Sequence, residues 1–364
     1  MLGVIDRWYK KKFSDPDALM LLVLILFSSV VLLVWGNMLM PVIVAAVIAY
    51  LLDWLVTQAE RRGIRRTLAT SVVLLLFFVL SILTLVGLVP VISKQGANLV
   101  REIPAIWQQA QAWLMTLPEK YPTYVQYDVV ERTMAGINER VVGIGEELIS
   151  LSFTSIGNVA ALLIYLILVP LMIFFMLKDK EQLLIGLSKF LPKERRLINK
   201  VGREMNVQIA NYIRGKVIEI IIVGTVSVVT FLILDLRYAV LLGVLVGLSV
   251  LIPYIGAAVV TIPVAVVALF QFGVTTPFWT VMVAYGIIQA LDGNLLVPIL
   301  FSEAVSLHPL SIIIAVLFFG GLWGFWGVFF AIPLATLVKA VISAWSTPIE
   351  SSPEPSPVTE QTQA

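Results

Sequence analysis

Within residues 238–338 a set of polar side chains stands out: Tyr254, Gln271, Tyr285, Gln289, Asp292, Asn294, Ser302, Glu303 and His308. The only charged members of that stretch are Asp292 and Glu303. A carboxylate in apolar surroundings is costly as a free anion, so it readily takes up a proton or pairs with a cation. That exchange is the elementary step of an ion-coupled carrier. Gln289 and Asp292, three residues apart, share one face of a helix. Gly293 then lets the backbone turn so that Asn294 and freed carbonyls can face a cavity. A surface loop or helix cap is the competing assignment for each acid. It suits Glu303, near Ser302 and Ser306, better than Asp292, which lies inside the apolar run from Ala284 to Phe301. His308 precedes Pro309 and a long apolar run, the pattern of a helix start with proline in its first turn. A proton relay between Glu303 and His308 does not follow from their spacing.

These groups belong to a chain of 364 residues that is 59% apolar and 13% charged. Soluble domains are about 45–50% apolar, so the composition is that of an all-helical protein crossing a membrane several times. There is no cysteine, which removes disulfides, iron–sulfur clusters and thiolate zinc, and the single histidine cannot build a histidine-rich metal site. The chain carries no Gly-x4-Gly-Lys-Ser/Thr loop, no His-Glu-x-x-His and no Gly-x-Ser-x-Gly elbow. Direct ATP coupling and serine or zinc hydrolysis are therefore not expected, and neither is an enzyme or a cofactor.

A crossing takes about 20 apolar residues, which places helices over 18–36, 39–55, 68–92, 156–177 and 213–234. Arg7, Lys10, Lys11 and Lys12 ahead of the first run resemble a secretory signal. The run is longer than a signal core and no Ala-x-Ala site follows, so a retained span is expected. Beyond residue 238 the pattern is broken at Pro253 to Gly256, Asp292 to Asn294, Pro298, His308–Pro309 and Gly320 to Gly327. Residues 238–272 make either one broken crossing or a hairpin of two shorter helices. Residues 278–301 are interrupted at Asp292, and 310–342 would be roughly 50 Å long as one helix, too long for one untilted crossing. About eight membrane elements are predicted, some split or re-entrant. Hydrocarbon tolerates such breaks only where protein or water covers the freed backbone groups. Gly243 with Gly247, and Gly320 with Gly324, are small-residue pairs that let helices pack closely.

Of the 25 Lys and Arg, 18 lie before the first span, between the second and third (Arg61, Arg62, Arg65, Arg66), or from Lys178 to Lys216; residues 93–150 carry more acids than bases. The first three segments are therefore expected in the cytoplasm and the last outside. The predicted organisation is an N-terminal arm with three spans (1–92), an external helical segment (93–150), a second membrane region (151–349) with a cytoplasmic loop at 178–212, and a disordered tail (350–364). In the external segment Val130, Met134, Ile137, Val141, Ile144 and Leu148 alternate spacings of four and three. That pattern makes either a coiled-coil seam between subunits or an amphipathic helix on its own domain. Val201, Met205, Ile209, Tyr212, Ile213, Lys216 and Ile220 likewise share one face. They fit an interfacial helix or a cytoplasmic helix packed on a neighbour.

The order of several short motifs resembles the AI-2E transporter family of bacterial inner-membrane proteins. They are Phe-Ser-Asp-Pro (Phe13 to Pro16), Leu-Lys-Asp-Lys-Glu (Leu177 to Glu181), Asn-Tyr-Ile-Arg-Gly-Lys (Asn211 to Lys216), Ile-Pro-Tyr-Ile-Gly (Ile252 to Gly256), Asp-Gly-Asn-Leu-Leu-Val-Pro (Asp292 to Pro298), Leu-His-Pro-Leu (Leu307 to Leu310) and the Gly/Trp run to Pro333. The resemblance covers nearly the whole chain. It implies an exporter or permease of about eight spans with cytoplasmic ends, oligomeric, with five subunits as the candidate number. Its named activities are export of autoinducer-2 and, in some members, exchange of sodium or lithium for protons. Many members carry Glu where Asp292 stands and Pro where Ala257 stands, so the cargo does not transfer with the architecture.

The expectation is a secondary transporter that moves a small solute or cation outward, coupled to protons or sodium. Its binding residues would be Asp292, Gln289, Asn294, Tyr254 and Glu303, with helix breaks at Pro253, Gly256, Gly293 and Pro298. The expected partners are membrane lipids, the solute and further copies of the chain, not nucleic acid. The competing expectations are a non-transporting oligomeric scaffold that recruits a partner through its external segment, and a passive channel.

Overall fold

A computed structural model describes residues 16–116, 118, 134, 159–189, 196–301 and 307–346. The described residues are helical, with no strand among them. Six helical stretches are long and apolar enough to cross a membrane. The Val130 to Leu148 seam, apart from Met134, lies outside the described residues, as do Glu303 and the tail.

The first helix, α1 (Pro16–Arg61), joins the two spans expected at 18–36 and 39–55 without a break. It is not a straight rod. Leu21 packs in one cluster with Ile198, Val201 and Met205, while the Tyr50 hydroxyl donates to Asn206 Oδ1 at 2.8 Å. A straight helix would hold Leu21 and Tyr50 about 43 Å apart, far more than the length of chain from Ile198 to Asn206 allows. Gly36 and Pro41 lie between them, residue types at which helices bend.

Helix α2 (Arg66–Met115) crosses and then runs on into the segment expected outside. At one end Arg66 pairs with Glu60 at 2.9 Å and donates to the Leu177 carbonyl, and Lys180 pairs with Asp53 at 2.8 Å. These contacts join α1 and α2 to α3 (Val159–Lys178) and α4 (Lys180–Ser188). At the other end Gln95 accepts from the Leu241 amide and Arg237 faces Glu102 at 3.8 Å. Arg66 and Gln95 are about 43 Å apart along a helix, which matches a bilayer of about 40–45 Å with its head groups. Between these polar ends α2 exposes Leu75, Leu76, Leu80, Leu83 and Val86, a lipid-facing surface.

Helix α5 (Arg196–Ile233) merges the amphipathic stretch and the fifth span into one element. Its first part is buried against α1 and Leu337 and Val341 of the last helix, so it packs on its neighbours. The chain reverses into α6 (Ala239–Ser249), turns over residues 250–254 and returns as α7 (Ile255–Phe272). The hairpin alternative is thus the one found. Eleven residues of α6 span about 16 Å, roughly half of a ~30 Å hydrocarbon layer. Gly243 faces Val228 and Gly247 faces Gly224 so closely that α6 lies backbone to backbone on α5. The base of the hairpin is fastened by Gln271, whose Oε1 accepts from the Arg237 amide and whose Nε2 donates to the Asp235 carbonyl, both at 2.6 Å. Gln271→Ala removes both bonds; the expected loss is about 1 kcal/mol, given the exposed setting, read as a lowered unfolding midpoint in detergent.

Helix α8 (Thr276–Leu291) passes through one π-helical turn (Asp292–Leu296) into α9 (described over Val297–Phe301). The interruption expected at Asp292 is therefore a wider turn, not a break. In α10 (Pro309–Phe329) the chain reverses at Gly324, whose φ is 58°. Gly327 there abuts the Phe319 carbonyl and Gly320 abuts Val328. In a continuous helix residues 319 and 327 would be about 12 Å apart. Gly324 is thus a turn residue, not half of a packing pair, and α11 (Ala331–Ser346) completes a second hairpin. His308 begins α10, its Nδ1 accepting from the Leu310 amide at 3.2 Å, as its sequence context indicated.

Candidate functional site

Helix α5, the tip of the α6–α7 hairpin, the π-helical turn, α9 and the two arms of the second hairpin enclose a cavity of 290 Å³. That volume lies at the small end of ligand sites, typically ~300–1,000 Å³. Asp292, Gln289, Tyr254, Pro253 and Gly293 line it, as does a pair that the sequence reading did not single out, Lys216 and Glu219.

Lys216 and Glu219 form an ion pair at 2.8 Å with side chains 5% and 2% exposed. They stand three residues apart on one face of α5, at the start of its charge-poor half, which runs on to Ile233. The ammonium also donates to the Val250 carbonyl at 2.7 Å, and it lies 5.3 Å from the centre of the Phe301 ring. The tip of the α6–α7 hairpin leaves carbonyls without helical partners, and Lys216 satisfies one of them. Lysine was counted among the cytoplasmic basic residues; the structure removes it from that group. Its burial is tolerable because each of its three donors has an acceptor or a π face.

The hairpin tip itself is strained. Tyr254 holds φ at 61°, and the Ile255 amide donates across it to the Pro253 carbonyl at 2.7 Å, the bond of a tight three-residue turn. Such a conformation in a non-glycine residue costs about 1–3 kcal/mol and persists where the surroundings impose it. Here Gly256 abuts the Ser249 carbonyl, leaving no room for a side chain, and Tyr285 donates to the Ala257 carbonyl at 3.1 Å and shares a hydrogen bond with Thr261.

Asp292 faces this cavity from the π-helical turn. Its Oδ1 and Gln289 Nε2 are buried with no hydrogen-bond partner among the described residues. Lys216 is already held by Glu219 and Val250, so the cavity offers one carboxylate oxygen and one amide donor with unmet capacity. Asn294 lies elsewhere: it is exposed and its Nδ2 donates to the Ala290 carbonyl at 2.8 Å. Pro298 stands in α9 outside the lining, and Glu303 is outside the described residues. Among the described residues no group of three or more His, Asp and Glu could hold a metal ion. The one sequence signal for the pair is Glu219, the last charged residue of α5, with an opposite charge three residues before it and only uncharged residues from Ile220 to Ile233.

A family profile described as "AI-2E family transporter" matches residues 19–347. The chain is 49% identical over 345 residues to "Putative permease PerM" of Escherichia coli K12, covering 95% of this chain and 98% of that protein. It is 24% identical over 307 residues to the "AI-2 transport protein TqsA" of the same organism, covering 84% of this chain and 86% of that one. The two hairpins and the cavity between them thus belong to a membrane transport protein, and the chain is a member of the AI-2E transporter family.

Proposed function

We propose that the protein is a secondary transporter that moves a small solute or cation out of the cell, driven by proton or sodium exchange at Asp292. The observation that carries the reading is the buried Asp292 oxygen without a partner among the described residues, set in a small cavity beside the Lys216–Glu219 ion pair. An acid so placed is stable when a proton, a cation or a donor from the cargo meets it, and each exchange of partners can be tied to a change of conformation. The positions of Lys and Arg support a cytoplasmic location for the Arg66 end of the bundle and for both termini. They do so with Lys216 set aside. AI-2, the cargo in one relative's name, is one candidate solute. The reading also takes in assembly with further copies of the chain in the bacterial inner membrane.

Purified protein in proteoliposomes, with set proton and sodium gradients, tests this directly. Asp292→Asn is expected to cut gradient-driven flux about ten- to hundred-fold, the equivalent of the ~1.5–3 kcal/mol that a hydrogen bond to a charged group is worth. Asp292→Glu should retain measurable flux. Unchanged flux and pH dependence in Asp292→Asn would remove Asp292 from the mechanism. Flux that does not saturate with solute would make the protein a channel.

A further inference from the structure

Two cavities lie against neighbouring faces of α5. The first is the Asp292 site; the second, of 510 Å³, runs along the helix from Glu204 to Ile218, and its polar lining is Glu204, Gln208, Asn211 and Arg214. This groove is polar where the membrane helices begin. Arg214 Nε and Gln208 Oε1 within it are buried with no hydrogen-bond partner among the described residues. One aromatic side chain is a wall of both cavities: Phe301, 4% exposed.

The ring is seated by what surrounds it. Gly215 supplies the slot, since a Cβ there would come within 2.5 Å of the ring's Cε1. Tyr212 packs on the ring at 5.7 Å between centroids, and its own hydroxyl is tied to the Phe329 carbonyl at 2.7 Å. On the inner side the ring meets the Lys216 ammonium. What holds Phe301 in place is therefore contact and a cation–π interaction of about 0.5–2 kcal/mol, with no hydrogen bond to break. Phe301 is the last described residue of α9, which the π-helical turn of Asp292 leads into, and such turns recur at functional sites. A change at Asp292 thus has a short mechanical route to the ring.

We propose that Phe301 is the gate between the groove and the Asp292 cavity, and that solute passes only when the ring leaves its seat on Gly215. The proposal rests on the reading of that cavity as the solute site, but its test needs no transport. The chain has no cysteine, so single cysteines report cleanly. Val207→Cys places a thiol in the groove and Val297→Cys places one in the inner cavity. A charged, membrane-impermeant thiol reagent is applied to sealed vesicles of each orientation, and fast reaction of Val207→Cys identifies the face on which the groove opens.

From that face Val297→Cys should react at least about ten-fold more slowly than Val207→Cys, because a gate open in a minor state is open ~0.1–10% of the time. Phe301→Ala should bring the two rates close together, with Phe301→Leu between. The rate at Val207→Cys in the Phe301→Ala background monitors the fold. If that rate changes, Gly215→Ala, which displaces the ring without deleting it, replaces Phe301→Ala. A Val297→Cys rate that does not respond, or one already as fast as that of Val207→Cys, overturns the gate. A Phe301-dependent rate in a protein that moves no solute would leave the gate standing and overturn the transport reading.

Discussion

Lys216→Met destabilises the protein by about 3–5 kcal/mol, the usual cost of leaving one member of a buried ion pair alone. Two groups lose their partner at once. Glu219, 2% exposed, is left as a buried anion, and the Val250 carbonyl at the hairpin tip loses its donor. Glu219→Gln should cost less, because Lys216 keeps Val250 and the Phe301 ring, and the new amide oxygen still accepts. The double change Lys216→Met with Glu219→Leu should recover most of the loss, since apolar groups of similar volume often replace a buried pair at little cost. Denaturant unfolding of the detergent-solubilised protein, followed by loss of helical circular dichroism, measures all three. A double variant no more stable than Lys216→Met would show that the pair does not act as a unit. Stability and flux separate here: the double variant should fold and yet transport poorly, having lost the tie between α5 and the hairpin tip.

The two glycines marked as helix breaks should respond in opposite ways to alanine. At Gly256 a Cβ would collide with the Ser249 carbonyl, a backbone atom that cannot swing aside, so α7 must shift away from α6 or the hairpin tip must open. Overpacking of this kind costs about 1–3 kcal/mol. It also falls on the turn that holds Val250 towards Lys216, so flux should fall with stability. At Gly293 a Cβ would meet nothing within 4 Å, and the backbone is helical. Gly293→Ala should therefore be neutral or stabilising by up to about 1 kcal/mol. Equal losses at both positions would mean that Gly293 has to leave the helical conformation during function.

Much of the site was legible because its cause is local. Asp292 and Gln289 fall on one helical face, the Asp292–Gly293 dipeptide marks the π-helical turn, and Pro253 to Gly256 marks the hairpin tip; Gln289, Asp292, Gly293, Pro253 and Tyr254 line one cavity. Asn294 was included on the premise of a broken helix. The π-helical turn keeps the chain helical there, and the Asn294 side chain bonds back to Ala290. Lys216 was missed for a different reason. It ends a run of basic residues that continues smoothly from the loop, and charge counting alone cannot tell a lysine at the membrane surface from one a turn or two deeper.

The sequence by itself determined that the chain is an all-helical membrane protein, that it turns at Pro253 to Gly256 and within Gly320 to Gly327, and that Asp292 lies among apolar residues. Those properties follow from composition, periodicity and the backbone limits of Gly and Pro, which act over a few residues. Only the tertiary structure decided that α1 bends while remaining one helix, that residues 238–272 fold as a hairpin of two helices, and that Lys216 faces Glu219, Val250 and Phe301. Each of these depends on which surfaces meet. In a bilayer, apolar residues are as well placed against lipid as against protein, so hydropathy does not distinguish the two. Close packing at Gly215, Gly247 and Gly256, and the need of buried polar groups for partners, made that choice.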